Sequence, residues 1–245
     1  MREQYINAVA LRRDRVTDFD RYPFSVPAVR ALSELPLHGS VTFLVGENGT
    51  GKSTLTEAIA VCCGFNPEGG SRNFNFETYS SHSELCDYLT LYKGVRHPRD
   101  GYFLRAESFY NVATNIEQLD EGGRGPKIKY SYGGSLHEKS HGESFFALLM
   151  NRLGGHGLYI FDEPEAALSP RRQLAMLCRI DELVKQESQL VIATHSPILT
   201  AYPDSVIYEL SADGIHRRAY EETDNFRVTK EFLNRYPRML RELLD

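Results

Sequence analysis

A short loop at residues 46–54, GENGTGKST, contains residue types that bind phosphate groups. Its glycines let the backbone turn so that successive N–H groups point inward, and a helix beginning near Lys52 would add its positive end. The spacing matches the pattern G-x-x-x-x-G-K-[ST], in which the lysine contacts the β- and γ-phosphates and the following hydroxyl binds Mg²⁺. The nucleotide-binding residues predicted from this match are Gly46, Glu47, Asn48, Gly49, Thr50, Gly51, Lys52, Ser53 and Thr54.

A second motif, LYIFDEP at residues 158–164, is an apolar run that ends in two carboxylates. If the run is a strand, Asp162 lies at the carboxyl end of the sheet, where ligands of open α/β sheets bind. There it would hold Mg²⁺, directly or through water, together with Ser53. Glu163 would then be placed to act as a general base on an attacking water molecule.

Apolar runs alternate with helical patterns, which predicts an α/β fold with a mainly parallel sheet. The helix from Pro170 to about residue 187 has Ser169 as its N-cap and four inward residues at helical spacing, and in the helix at 143–155 one apolar face is predicted. The inward residues are Met176, Ile180, Leu183 and Val184 in the first helix and Phe146, Leu149, Met150 and Leu153 in the second. The predicted strands are 41–45, 102–106, 158–163, 190–194 and 206–210, the last of which precedes a mixed-charge helical tail.

The chain of 245 residues is 41% apolar and 25% charged, as expected for a globular protein. No apolar run is long enough for a membrane span, and the polar N-terminus lacks a signal-peptide core, so we expect a cytoplasmic protein. The net charge of −5 argues against a protein that coats DNA, although it allows a local basic face. Cysteines at positions 62, 63, 86 and 178 have no CxxC spacing, so neither a zinc site nor a disulfide framework is predicted.

The phosphate loop, LYIFDEP, EAALSPRRQ (165–173) and IATHSP (192–197) together resemble an ABC-type ATPase. The resemblance is closest to the stand-alone, non-transporter branch of AAA-family or SMC-like ATPases. It implies a P-loop NTPase fold that binds ATP and Mg²⁺ and converts ATP and water to ADP and phosphate. By this resemblance Asp162 binds Mg²⁺, Glu163 and Lys52 are catalytic, His195 is the switch histidine at the γ-phosphate, and Glu165–Leu168 is the D-loop.

The family also has a signature motif that contacts the γ-phosphate of the nucleotide bound to the opposite subunit. KSHGES (139–144) is the candidate here, with Ser140, Gly142 and Glu143 at matching positions. His141 stands in place of a glycine and Lys139 in place of a leucine. The segment opens a helix about twenty residues before the acidic strand, as the resemblance requires, and a helix N-terminus with a serine suits a γ-phosphate.

Two family positions have several candidates. Glu107 or Ser108, in YFLRAESFYN, takes the place of the Q-loop glutamine, with Gln118 as a more distant candidate, and Glu107 would add a ligand to the metal. The aromatic residue that stacks on adenine could be Tyr22 or Phe24. Each of them could equally be a core residue.

The resemblance covers most of residues 35–210, and we predict one ABC-type domain over residues 1–245 with a small helical or irregular lobe. Its phosphate-loop core is about 35–65 and 155–210, its inserted lobe about 66–154 and its tail 211–245. Two subunits would form a homodimer head to tail on ATP binding. Such a switch would act on DNA or on an effector protein, as in DNA repair or phage defence.

Two other functions also fit the sequence. They are a nucleotide-binding regulatory module without turnover and the soluble ATPase subunit of a transporter. In the tail, Arg235, Arg238 and Arg241 recur every three residues, which is typical of a solvated helix face or of a nucleic-acid face.

Overall fold

The computed structural model describes residues 4–72, 84–109, 111, 114 and 141–244, without the His141 side chain. The strands in these residues are β1 (Ile6–Leu11), β2 (Glu34–Pro36), β3 (Val41–Gly46), β4 (Leu89–Lys93), β5 (Asp100–Arg105), β6 (Gly157–Asp162), β7 (Gln189–Ala193), β8 (Ser205–Ser211) and β9 (Gly214–Arg218). The α-helices are α1 (Pro27–Ala31), α2 (Lys52–Cys62), α3 (His141–Asn151), α4 (Pro170–Lys185) and α5 (Asp224–Leu244).

The central sheet has the strand order β5-β6-β7-β3-β8-β9. All pairs from β5 to β8 are parallel, and β9 pairs antiparallel with β8 at the edge. The predicted mainly parallel α/β fold is confirmed, whereas the prediction that residues 206–210 form the last strand is wrong. The sequence of β9, GIHRR, has only one large apolar residue, because an edge strand does not need the continuous apolar run of a central one.

Helices cover both faces of this sheet, because neighbouring residues of a strand point in opposite directions. Phe43 of β3 packs in the cluster that contains residues of α3 and α4, whereas Leu44 packs in the cluster that contains residues of α2. A smaller antiparallel sheet of order β2-β1-β4 lies on the α2 side, and Val9 of β1 is fully buried in that second cluster. The strand β3, which leads into the phosphate loop, is therefore packed between apolar residues on both faces of the sheet.

The predicted inward face of α4 is confirmed, since Met176, Ile180, Leu183 and Val184 are all buried. In α3 the buried residues include Phe145 and Leu148, and the placement of Met150 in the core is wrong because this residue is 41% exposed. The sequence SFFALLM is apolar at nearly every position, so its spacing alone does not define which side faces the sheet.

The parallel strands β6, β7 and β3 are adjacent, so their carboxyl ends meet at one edge of the sheet. This edge brings Gly46, Asp162 and Ala193 into one region, although they are far apart in the sequence. Among the described helices, none is long and apolar enough to cross a membrane.

Candidate active site

The phosphate loop joins β3 to α2 through three glycines with positive φ angles, which are 136° at Gly46, 81° at Gly49 and 102° at Gly51. A Cβ atom at Gly46 would lie 2.1 Å from the carbonyl oxygen of Leu210, and one at Gly51 would lie 2.3 Å from Val26 Cγ1. Two of the glycines are thus required both for the backbone conformation and for space. The third, Gly49, has open space around it and is required for conformation alone.

Helix α2 begins at Lys52 and has no side-chain cap, so its first-turn N–H groups face the loop with the positive end of the helix. The Lys52 side chain folds back over this loop and donates hydrogen bonds of 2.9 Å to the carbonyl oxygens of Gly46 and Glu47. Burial lowers the pKa of Lys52, whereas the nearby carboxylates, Glu163 first, raise it. The ammonium therefore lies between the loop and the acidic end of β6.

Ser53 and Asp162, the two predicted metal ligands, line the same cavity. Asp162 is buried, and burial raises its pKa to about 6, although Arg105 and the Ser53 hydroxyl lower it. Arg105 Nε lies 3.5 Å from Asp162 Oδ2, whereas Asp162 Oδ1 is buried and has no hydrogen-bond partner among the described residues.

This donor set fits Mg²⁺, which binds through few protein oxygens and keeps water or phosphate in its other positions. The unpaired Oδ1 of Asp162 and the Ser53 hydroxyl supply hard oxygen ligands. In the described parts of the chain, no cluster of three or more His, Cys, Asp or Glu side chains could hold a metal by itself.

Glu163 and His195 follow the neighbouring strands β6 and β7, and their atoms Oε1 and Nε2 are 3.4 Å apart. The backbone of Glu163 is left-handed, with φ 50° and ψ 50°, and its N–H donates a 2.9 Å bond to the carbonyl of Ala193. A non-glycine residue seldom adopts this conformation, which is concentrated at functional sites. Here it places the carboxylate beside the imidazole.

A cavity of about 300 Å³ joins the predicted metal ligands to the predicted base. Its wall contains Ser53, Asp162, Glu163 and Glu107, so one of the candidate Q-loop residues shares a cavity with the predicted metal ligands. Ser108 instead donates its hydroxyl to the carbonyl of Glu68. Gln118 lies outside the described residues.

Arg105 is a site residue that the sequence analysis did not identify. Its guanidinium pairs with Glu57 at 2.6 Å, besides lying near Asp162 and 3.7 Å from Glu107. The residue ends β5, and a charged residue at a strand end is ordinarily solvent-exposed, so the sequence gives no signal for this contact.

The segment assigned to the D-loop has a role within its own chain. It forms a short 3-10 turn, Pro164–Ala167, and the two carboxylate oxygens of Glu165 accept hydrogen bonds from the loop that carries His195, the predicted switch histidine. The donors are Thr194 Oγ1 at 2.7 Å and the His195 N–H at 2.5 Å. Glu165 therefore fixes the backbone on which His195 stands.

The candidate signature lies at the start of α3. Ser140 is outside the described residues, while Gly142 and Glu143 are in the first helical turn. A Cβ at Gly142 would lie 2.6 Å from the carbonyl of Ala167, and Glu143 Oε1 is 3.8 Å from Arg172 NH2. These residues thus pack beside the D-loop turn of the same chain.

A larger cleft of about 690 Å³ lies between the exposed side of the phosphate loop, His195 and the first turns of α5. Two polar contacts join α5 to this region. Asn225 Nδ2 donates a 2.9 Å bond to the carbonyl of His195, and the Asp224 N–H donates a 2.8 Å bond to Glu209 Oε1. The two candidate adenine-stacking residues differ, since Phe24 is buried against Tyr88 whereas Tyr22 is 61% exposed.

Comparison with known proteins is consistent with this arrangement. A family model described as an AAA domain matches residues 29–136. A protein of Geobacter sulfurreducens named as an ABC transporter ATP-binding protein is 24% identical over 213 residues, which are 80% of this chain and 74% of that protein.

Two solved structures match a large part of the chain at low sequence identity. An SMC head domain from Thermotoga maritima has a TM-score of 0.47 and 15% identity, covering 88% of this chain and 100% of that one. The cbiO1 protein from Clostridium perfringens, part of an ABC transporter complex, has a TM-score of 0.46 and 18% identity, covering 88% and 92%.

The strand order, the phosphate loop and the acidic end of β6 define a P-loop domain with a mainly parallel α/β fold. The AAA domain match is consistent with a stand-alone ABC or SMC-like ATPase, which confirms the resemblance predicted from the sequence.

Proposed function

We propose that this protein binds ATP together with Mg²⁺ and hydrolyses it to ADP and phosphate. The observation that carries this proposal is the 3.4 Å approach of Glu163 Oε1 to His195 Nε2, beside the cavity that Ser53 and Asp162 line. This arrangement supports Glu163 as the base, His195 as the switch histidine, and Ser53 with Asp162 as the metal ligands.

Nucleotide binding follows from the loop geometry. The N–H groups at the start of α2 receive the phosphate oxygens, and Lys52 exchanges its bonds to the carbonyls of Gly46 and Glu47 for bonds to the β- and γ-phosphates. Ser53 and Asp162 hold Mg²⁺, with Glu107 as a further ligand. When bound, Mg²⁺ neutralises charge on the phosphate oxygens.

Hydrolysis requires a water molecule beside the γ-phosphate. Glu163 accepts a proton from this water, and its left-handed backbone directs the carboxylate into the cavity that contains Ser53 and Asp162. His195 contacts the γ-phosphate. Glu165 fixes the position of His195 by accepting a hydrogen bond from its backbone N–H.

Two copies of the chain join head to tail around ATP, with Ser140, Gly142 and Glu143 of one copy completing the phosphate site of the other. The partial exposure of Glu163 and His195, at 39% and 31%, supports this arrangement because both side chains remain accessible to a partner. Each copy acts as one ABC-type domain with an inserted lobe at about 66–154. The joined state acts on DNA or on an effector protein.

A second candidate function is nucleotide binding without useful turnover, in a regulatory module. The pairing of Arg105 with Asp162 favours it, because a positive charge beside the metal carboxylate opposes Mg²⁺ binding. The name of the Geobacter sulfurreducens relative supports a third candidate, an ATPase subunit that works with a transporter.

Steady-state phosphate release with Mg²⁺ and ATP tests the proposal. Glu163→Gln should lower turnover by about 10²-fold or more while ATP affinity is retained, because the variant loses only the base. Glu34→Gln, which changes an exposed glutamate of β2, is the matched control and should behave as the native protein.

The same variant reports on dimerisation. With saturating ATP, Glu163→Gln should accumulate as a dimer in sedimentation velocity, and without nucleotide it should be monomeric. Turnover equal to that of the native protein would exclude Glu163 as the base. A native protein that binds ATP without measurable phosphate release would favour the regulatory module.

A further inference from the structure

Two cysteines that are 24 residues apart in the sequence meet in the fold. Cys62 is the last residue of α2, and Cys86 lies in the 3-10 turn Glu84–Tyr88. Their Sγ atoms are 2.8 Å apart, and Cys62 Sγ is also 3.3 Å from the carbonyl oxygen of Cys86. A disulfide bond is about 2.05 Å long, so the two sulfur atoms would need to move closer by less than about 1 Å to form one.

We propose that Cys62 and Cys86 are a redox-active pair that forms a reversible disulfide within the chain. The sequence gives no sign of the pair, because neither cysteine lies in a CxxC motif and their proximity depends on the packing of the turn against α2. Both side chains are partly accessible, so a small oxidant can reach them. Cys63 and Cys178 supply internal comparisons, since one is adjacent to Cys62 and the other is exposed on α4.

The oxidant is a low-molecular-weight disulfide such as oxidised glutathione. The thiolate of one cysteine attacks a sulfur of this disulfide, forms a mixed disulfide and releases one small thiolate. The thiolate of the second cysteine then attacks the protein sulfur of the mixed disulfide and releases the other small thiolate. The protein loses two protons and two electrons, and the small disulfide is reduced to two thiols.

The thiolate is the reacting form of cysteine, so the exchange depends on pH. Burial raises the pKa of Cys62, and its hydrogen bond to Cys86 raises that pKa further. The thiol form of Cys62 is therefore favoured, and the disulfide should form faster as the pH rises. A nearby positive charge would lower the pKa of Cys62. The nearby side chain of Asp87 is instead acidic, and it raises this pKa.

The bond would tie down a segment that reaches the candidate active site. Between Cys62 and Cys86, the carbonyl of Pro67 accepts a 3.3 Å bond from Arg105 NH1, and the carbonyl of Glu68 accepts a bond from the Ser108 hydroxyl. Arg105 and Ser108 lie on either side of Glu107 in the sequence, and Glu107 is part of the cavity wall. Oxidation would thus restrain a stretch of chain that contacts the edge of this cavity.

The experiment uses the full chain incubated with oxidised glutathione, followed by alkylation of free thiols, tryptic digestion without reductant and mass spectrometry. Cys62 and Cys63 share the peptide 53–72, and Cys86 lies in the peptide 73–93, so a crosslink joins these two peptides. The Cys63→Ser variant should retain the crosslink, whereas Cys62→Ser and Cys86→Ser should both lose it. Cys178 should remain available for alkylation in every case.

A second measurement follows the melting temperature. Closing the segment restricts the unfolded chain, so oxidation should raise the melting temperature by about 5–10 °C in Cys63→Ser, and a reductant should reverse the rise. Alkylation of both Cys62 and Cys86 after oxidation would overturn the proposal. A crosslink that survives in Cys62→Ser, or mixed disulfides with glutathione alone, would overturn it equally.

Discussion

Ser53, in the first turn of α2, and Asp162, at the end of β6, line one cavity of about 300 Å³. The two residues are more than a hundred positions apart, and the parallel strands β3, β7 and β6 bring them to one edge of the sheet. This arrangement places a hydroxyl and a carboxylate where a Mg²⁺ ion can bind both. Asp162 is also a buried carboxyl group, so its protonation affects folding.

Asp162→Asn should stabilise the protein without nucleotide at about pH 8. Burial raises the folded pKa of Asp162 from 3.8 to about 6, so the folded state disfavours the carboxylate. This cost is absent below the unfolded pKa, grows as the pH rises from about 4 to about 6, and is complete above the folded pKa. Removal of the charge should raise the free energy of unfolding by at most about 3 kcal/mol.

Denaturant unfolding in the presence of a metal chelator measures this effect at about pH 8 and about pH 4. Asp14→Asn, at an exposed position near the N-terminus, is the control and should change stability little at either pH. A loss of stability in Asp162→Asn that is the same at both pH values would contradict the explanation by burial of a carboxylate.

Arg105 and Glu57 should be energetically coupled. Their ion pair is 2.6 Å long, and the side chains are only 19% and 13% exposed, so removal of one leaves a poorly solvated charge without this partner. Arg105→Ala and Glu57→Gln should each destabilise the protein, and the double variant should lose less than the sum by about 1–3 kcal/mol. Urea unfolding of the four proteins gives this coupling, and strictly additive losses would show that the pair contributes nothing.

Gly46→Ala should be more damaging than Gly49→Ala. Both residues have positive φ angles, which cost an alanine about 1–2 kcal/mol. At Gly46 the new Cβ would also lie 2.1 Å from the carbonyl oxygen of Leu210, whereas at Gly49 nothing lies within 4 Å. Thermal unfolding and ATP titration compare the two variants, and equal losses of stability would mean that the contact with Leu210 relaxes freely.

Glu165→Ala should lower the turnover number by about 10-fold or more with little change in ATP affinity, because a misplaced switch loop impairs the reacting geometry. Glu165 accepts hydrogen bonds from the backbone N–H of His195 and the hydroxyl of Thr194, which hold this loop in place. Separate determination of kcat and of ATP affinity checks this prediction. Thr194→Ser, which keeps the hydroxyl, is the control, and a fall in affinity alone would assign Glu165 to nucleotide binding.

The parts of the site that follow local patterns were predictable from the sequence. The phosphate loop has fixed glycine spacing, and Asp162 and Glu163 follow an apolar run that must be a buried strand. Once a parallel sheet is expected, both motifs are placed at the same edge of that sheet.

The remaining features depend on tertiary packing. Arg105 becomes a site residue only because β5 lies beside β6, and Cys62 meets Cys86 only because a short turn packs on α2. The backbone conformation of Glu163 is likewise imposed by its surroundings, since a glutamate would not choose it locally. None of these contacts leaves a periodic or compositional signal in the chain.

In the proposed dimer, ATP hydrolysis requires a phosphate loop from one copy and a signature from the other. Lys52→Ala disables the first element and Ser140→Arg the second, so each variant alone should be inactive. In an equimolar mixture, about half of the dimers combine both variants, and each of these has one intact composite site. Phosphate release should then recover to about a quarter of the native rate. A mixture that releases no more phosphate than the two variants measured separately would contradict the shared site.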